Sequence, residues 1–118
     1  MTATRHANGV AAEDAAAAAL IAEGWTVLAR RVRTPAGEVD LVAERAGLLA
    51  LVEVKRRASL AAAAQALGPR QRARLLAAAE VLLGAHPEWG QAGVRFDVIV
   101  VDRAGRLRRI TDAFRAGD

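Results

Sequence analysis

The stretch Val94–Asp102, VRFDVIVVD, constrains the fold of this chain more than any other. Side chains of a strand alternate between the two faces of its sheet. Here both sets are apolar in the middle of the run. Such a strand offers water neither face, so it belongs inside a sheet covered on both sides. The neighbouring sequence supplies two covers. Asn8–Glu23 has a rough apolar stripe at Val10, Ala17, Leu20 and Ile21, with Gly24 placed to end a helix. Pro69 suits the first turn of a second helix, running to about Leu83 with Gly84 closing it. Leu75, Leu76, Ala79, Leu82 and Leu83 form its apolar stripe.

Three further strands precede the second helix. Trp25–Arg33 has β-branched and apolar content, Thr34–Gly37 (TPAG) is turn chemistry, and Glu38–Glu44 alternates. In that alternation Val39, Leu41 and Ala43 are expected on one face, with Glu38, Asp40 and Val42 on the other. After a turn at Arg45–Gly47, Leu48–Lys55 forms a more apolar strand, and the three make an antiparallel meander. Ala104-Gly105 turns the chain into a short last strand, Arg106–Thr111. The predicted class is α/β: three layers, a mixed central sheet with helices on both faces, in the order α-β-β-β-α-β-β. At 118 residues this is one domain, long enough to bury a core without staples, and its first seven residues are expected to be loose.

Composition then narrows the function. The absence of cysteine excludes a disulfide framework and a thiolate metal site. Glu13 and Asp14 interrupt the apolar N-terminal run, so it does not read as a signal peptide. No stretch approaches the ~18 apolar residues of a spanning helix. A soluble cytoplasmic protein without a membrane partner is expected. The net charge is +4, the pI is near 11.2, and the basic residues are clustered. A polyanion such as nucleic acid is the partner this implies. Aromatic residues make up only 3%, which argues against a single-strand binder built on stacking platforms.

Of the 17 basic residues 16 are arginine; the one lysine, Lys55, stands two residues after Glu53. Glu53 and Lys55 share a strand face. A two- or four-residue loop before this strand would put Glu44 opposite Leu49, Asp40 opposite Glu53 and Glu38 opposite Lys55. Opposed residues have Cβ atoms ~5 Å apart. Two facing carboxylates repel, and a divalent cation removes the conflict; Mg²⁺ favours such oxygen ligands. A metal-bound water is a usable nucleophile, and the metal stabilises charge on a phosphoryl oxygen. Lysine suits such a site because it is a compact point charge that can orient a water. The same residues also fit a salt-bridged strand end, with Glu38 on Lys55 and Glu53 on an arginine, and spacing does not separate the two.

Other residues group around this core. Glu13 sits early in its helix, where an acid suits the helix dipole. Glu38 can pair with Lys55 or assist the metal. Arg70, Arg72 and Arg74 lie in the first turns of the second helix, against the dipole's preference, which points to phosphate contact; Gln71 lies among them. Arg31, Arg33, Arg56 and Arg57 are further candidates for the nucleic-acid backbone. Asp97, in the covered strand, needs a partner, and a structural arginine is expected.

The stretch Gly37–Arg57, GEVDLVAERAGLLALVEVKRR, resembles the signature of the YraN family of small bacterial proteins. The resemblance extends to the first helix with Gly9 and Glu13, to PRQRARLLAAAEVLL, and to the late strand with Phe96 and Asp97. It implies a restriction-endonuclease-like fold similar to Holliday-junction resolvases. Asp40, Glu53 and Lys55 then map onto an Asp…Glu-x-Lys nuclease core, and Glu13 onto a first-helix metal ligand. The chain departs from the family pattern at Arg31, where Asn is usual, at Arg70 (Lys) and at Val81 (Tyr). The expected function is metal-dependent hydrolysis of phosphodiester bonds in DNA, branched or junction DNA included, with Mg²⁺ or Mn²⁺ at Asp40 and Glu53, assisted by Glu13 and Glu38. A chain this short covers little DNA, which points to a homodimer. The alternative is a non-catalytic nucleic-acid-binding module with the same fold.

Overall fold

A computed structural model describes the backbone of residues 2–61 and 67–116 and the side chains of residues 9–61 and 67–116. The elements are α1 (Thr2–Ala22), β1 (Thr26–Thr34), β2 (Gly37–Arg45), β3 (Leu48–Arg56), α2 (Pro69–Ala85), β4 (Gly93–Val101) and β5 (Leu107–Phe114). Their order is the expected one. The five strands lie side by side as β1-β2-β3-β4-β5. β1, β2 and β3 form the antiparallel meander, β3 and β4 are parallel, and β5 returns antiparallel to β4. The parallel pair needs a crossover, and α2 provides it.

The two helices cover opposite faces. α1 packs Ala12, Ala16, Ala17 and Leu20 against Leu41, Ala43, Ala50, Val52, Ile99 and Val101. α2 packs Leu75, Ala78, Ala79 and Leu82 against Val39, Val42, Leu49, Leu51, Phe96 and Phe114. Val98 and Val100 continue the second face beneath Leu60 and Leu67. β4 is thus apolar toward both layers, which is why its sequence is a near-continuous hydrophobic run.

Several boundaries differ from expectation. α1 begins at Thr2 rather than Asn8. Its buried face is made mostly of alanines, and Ile21 is 53% exposed. Alanine side chains are short, so the helix can lie close to the sheet. Gly24 does end α1: the N–H of Gly24 reaches Ile21 O at 3.0 Å and that of Trp25 reaches Leu20 O at 3.0 Å, with Gly24 at φ +88. This is a Schellman cap, with Trp25 and Leu20 in the same apolar cluster. Gly84 does not close α2. The helix continues to Ala85, and the His86 N–H bonds Leu82 O at 2.8 Å. β5 runs on to Phe114, past the expected Thr111.

Both hairpins of the meander turn on two residues. Thr34 pairs with Gly37 across Pro35-Ala36, and the Thr34 hydroxyl accepts the N–H groups of Ala36 and Gly37, both at 3.1 Å. Arg45 pairs with Leu48 across Ala46-Gly47, whose φ values are +51 and +81. That is a type I′ turn, which matches the twist of the strands it joins. It also sets the register of β2 on β3, with Glu44 opposite Leu49 as expected.

Candidate active site

The β2–β3 ladder stops at Leu41, opposite Val52. Beyond that point β3 remains paired with β4 alone, Glu53 with Val98 through Arg56 with Val101. The expected opposition of Asp40 to Glu53 and of Glu38 to Lys55 is therefore not part of the ladder. β2 diverges from β3, and the Asp40 side chain fills the gap by accepting the Val54 N–H at 2.7 Å. A side-chain carboxylate thus satisfies a backbone donor that the interrupted ladder would leave unpaired.

The alternation of β2 also breaks at this point. Leu41 and Ala43 face α1, but Val39 faces α2 together with Val42. Val39 is thus on the face opposite to the one its spacing predicts. The partner strand bends at the same level. Arg30 pairs with Leu41 and Val32 with Val39, which sets Arg31 opposite Asp40. Arg31 has φ +50, in the left-handed region. An L-residue with a long side chain adopts that conformation at some cost; Asn or Gly does so readily.

Around this kink the charged groups pair as follows. Lys55 Nζ lies 3.2 Å from Glu53 Oε1, and both side chains are about one-seventh exposed, at 14% and 15%. Arg31 Nε donates to both Glu13 oxygens, at 2.6 and 3.2 Å. Arg30 bonds Asp14 at 3.0 Å. Arg33 stands 3.9 Å from Glu38 and is itself highly exposed. The structure therefore places Glu38 against Arg33 rather than Lys55. Burial pushes the Asp40 carboxyl up to about 7; the Val54 N–H pulls it down, the Glu53 and Glu13 carboxylates push it up, and Lys55 pulls it down. Glu13, Asp40, Glu53 and Lys55, from α1, β2 and β3, thus share one electrostatic neighbourhood.

Among the described residues no three His, Asp or Glu side chains form a ready-made cation site. A Mg²⁺-type ion needs only one or two carboxylates, with water in its other positions. Asp40 and Glu53 fit that requirement: burial raises the Asp40 carboxyl, and the Glu53 carboxylate nearby adds to the rise. Glu13 and Glu38 are at present engaged by arginines.

Of the described basic residues, Lys55 and Arg30, Arg31, Arg33, Arg95, Arg106, Arg109 and Arg115 are in ion pairs. Among the described residues Arg45, Arg56, Arg57, Arg70, Arg72, Arg74, Arg103 and Arg108 are in none. Of these, Arg56, Arg57, Arg70, Arg72 and Arg74 lie at the end of β3 and the start of α2. The stem of Arg74 passes over the β1–β2 turn, where a Cβ added at Gly37 would lie 3.6 Å from its Cδ. Gln71 is used as a cap: its side-chain oxygen accepts the Gly68 N–H at 3.4 Å. Asp97 has the expected structural partner, since Arg95 bonds both of its oxygens at 2.9 Å. A groove of about 580 Å³ lined by Leu48, Arg95, Phe96 and Asp112 lies at the other end of β3 and β4, away from Lys55. Sequence reasoning missed the link between Arg31 and Glu13. The sequence holds the complementary pairs Glu13-Asp14 and Arg30-Arg31, but nothing along the chain matches one to the other.

Residues 12–101 match the model of an uncharacterised protein family, UPF0102. A UPF0102 protein of Granulibacter bethesdensis is 65% identical over 92% of this chain and 68% of its own length. A second, of Azorhizobium caulinodans, is 53% identical over 92% of the chain and 83% of its length. A third, of Bradyrhizobium sp., is 50% identical over 92% and 77%.

Proposed function

The chain belongs to the UPF0102 family, the YraN family whose signature it resembles, and from that premise we propose that it is a metal-dependent nuclease acting on phosphodiester bonds in DNA. The observation behind this reading is Asp40. Its carboxyl is wedged on the Val54 N–H where two strands part, is raised to about 7, and lies in the field of Glu53 and Lys55. Perturbed groups of this kind cluster at functional sites.

In this reading Asp40 and Glu53 hold Mg²⁺ or Mn²⁺, with Glu13 and Glu38 as further oxygen donors. The ion would supply an acidified water and charge stabilisation at the phosphoryl group. Lys55, held beside Glu53, orients the attacking water or the scissile phosphate. Arg56, Arg57, Arg70, Arg72 and Arg74 bind backbone phosphates on either side, helped by the N–H groups at the start of α2. Arg31 and Arg33 lie nearer the acids. A chain of this size would span branched DNA as a homodimer.

The test uses labelled duplex, flap, single-stranded and four-way-junction DNA, with Mg²⁺ or Mn²⁺ and then EDTA, on the native chain and Asp40→Asn. Cleavage that needs the metal and is lowered by at least ~10²-fold in Asp40→Asn, with DNA binding retained, is the expected result. Tight, salt-sensitive binding without cleavage of any substrate would replace this reading with that of a non-catalytic binding module.

A further inference from the structure

Arg31 is the most unusual residue of the site. It has a left-handed backbone at φ +50, in a strand, with a side chain much longer than those that favour that region. The conformation has a geometric consequence. Consecutive residues of a regular strand point to opposite faces. Here Arg30 and Arg31 both reach α1, bonding Asp14 and Glu13, while Val32 packs on the α2 side. The kink thus delivers the Arg31 guanidinium to the acids of the site. The bond to Glu13 raises the Arg31 pKa, burial lowers it, and the charges of Glu13, Glu38 and Asp40 raise it further. Arg31 and Lys55 together account for two of the carboxylates: Glu13 on Arg31 and Glu53 on Lys55.

We propose that Arg31 is a built-in stand-in for the divalent cation, holding Glu13 away from Asp40 and Glu53 until a metal ion competes for it. This deepens the metal-dependent reading above and rests on it. Arg31 is a positioning residue in this role. It keeps the acidic cluster neutral and ordered in the metal-free protein, where unbalanced carboxylates would repel one another. Its pair with Glu13 is partly open to water, at 39% and 13% exposure, so a divalent ion can compete with it. In such an exchange the Glu13–Arg31 bond breaks as Glu13 moves to the metal, and the guanidinium is released. The metal's apparent affinity is lowered by the strength of the bond it must break.

The experiment is Mn²⁺ binding to the whole chain by calorimetry, at fixed pH and ionic strength, with no DNA present. Arg31→Asn removes the charge and suits the left-handed backbone. Arg30→Asn removes an equal charge from the neighbouring pair with Asp14. Asp40→Asn identifies binding at the site, and a thermal melt of each variant confirms folding. The expected result is Mn²⁺ binding that needs Asp40 and is about fivefold tighter in Arg31→Asn, as removal of a partly exposed ion pair predicts, with Arg30→Asn within about twofold of the native chain. Binding that needs Asp40 but is no tighter in Arg31→Asn overturns the inference and leaves the metal reading standing. Equal tightening in Arg30→Asn also overturns it, since net charge would then be the cause. Binding that does not need Asp40, or no binding at all, overturns the metal reading and the inference together.

Discussion

Asp40 couples the chemistry of the site to the stability of the molecule. Its folded-state pKa of about 7 lies above the ordinary 3.8, so the folded chain binds the proton more tightly than the unfolded one. Between those values the unfolded chain has released the proton while the folded chain keeps it. Stability therefore falls as pH rises through that window, and the full penalty is present above about 7. Asp40→Asn removes the charged state but keeps a side-chain oxygen for the Val54 N–H. It should raise the melting temperature at pH 8 by about 3–6 °C, as ~1 kcal/mol does in a chain of this size, and change it little at pH 4. Thermal melts across pH check this. An equal shift at both pH values would mean that Asp40 is not a buried, raised carboxyl. That Glu53 and Lys55 share a strand face was legible in the sequence, because a strand's alternation fixes it; how Asp40 meets them was not, because the β2–β3 register ends at Leu41. The partner of Glu13 was not, because it depends on a left-handed Arg31 that no strand pattern anticipates.

At the scale of elements, the β2–β3 hairpin sets where the acids stand. Its type I′ turn needs positive φ at both central residues, and Ala46 supplies one of them at +51. Asn-Gly is the favoured pair for this turn. Ala46→Asn should therefore stabilise the protein by about 0.5–1 kcal/mol. Gly47→Ala should cost about 1–2 kcal/mol, because φ is +81 and the new Cβ would meet the Ala92 side chain at 3.1 Å. Urea unfolding of both variants checks the pair; destabilisation by Ala46→Asn would contradict the turn assignment. The two-residue loop was one of two lengths that satisfy the sequence pattern, and it gave the expected register up to Leu41. The register then ends where β2 leaves β3, and Val39 joins the apolar cluster that holds Leu75, Ala78 and Leu82 of α2. Burial of Val39 outweighed the local alternation, and that tertiary packing could not be read from the strand alone.

At the scale of the molecule, pairing separates the arginines that can meet a polyanion from those already engaged. Arg70, Arg72 and Arg74 are in no ion pair among the described residues, whereas Arg106 is bonded to the buried Asp102. Removing the first three together should weaken DNA binding across all substrates. The slope of log K against log salt should become shallower by about one unit for each phosphate that is no longer neutralised. Arg106→Ala should leave that slope unchanged. A titration of fluorescent duplex between about 50 and 200 mM salt measures both. A slope unaffected by the triple variant would move the interface elsewhere. No helix among the described residues is long and apolar enough to cross a membrane.

The sequence by itself determined the layers and their order. The doubly apolar β4, the two helical stripes and the alternating hairpin admit few arrangements other than a mixed sheet between helices, because each apolar face must be covered. It also determined that Glu53 and Lys55 share one strand face. The tertiary structure decided how those charges are balanced. Asp40 rises to about 7 because burial there opposes its ionised form, and Glu13 is held by Arg31 because two strands kink at the same level. Desolvation and backbone kinks depend on everything packed around a residue, so no pattern of neighbours along the chain contains them.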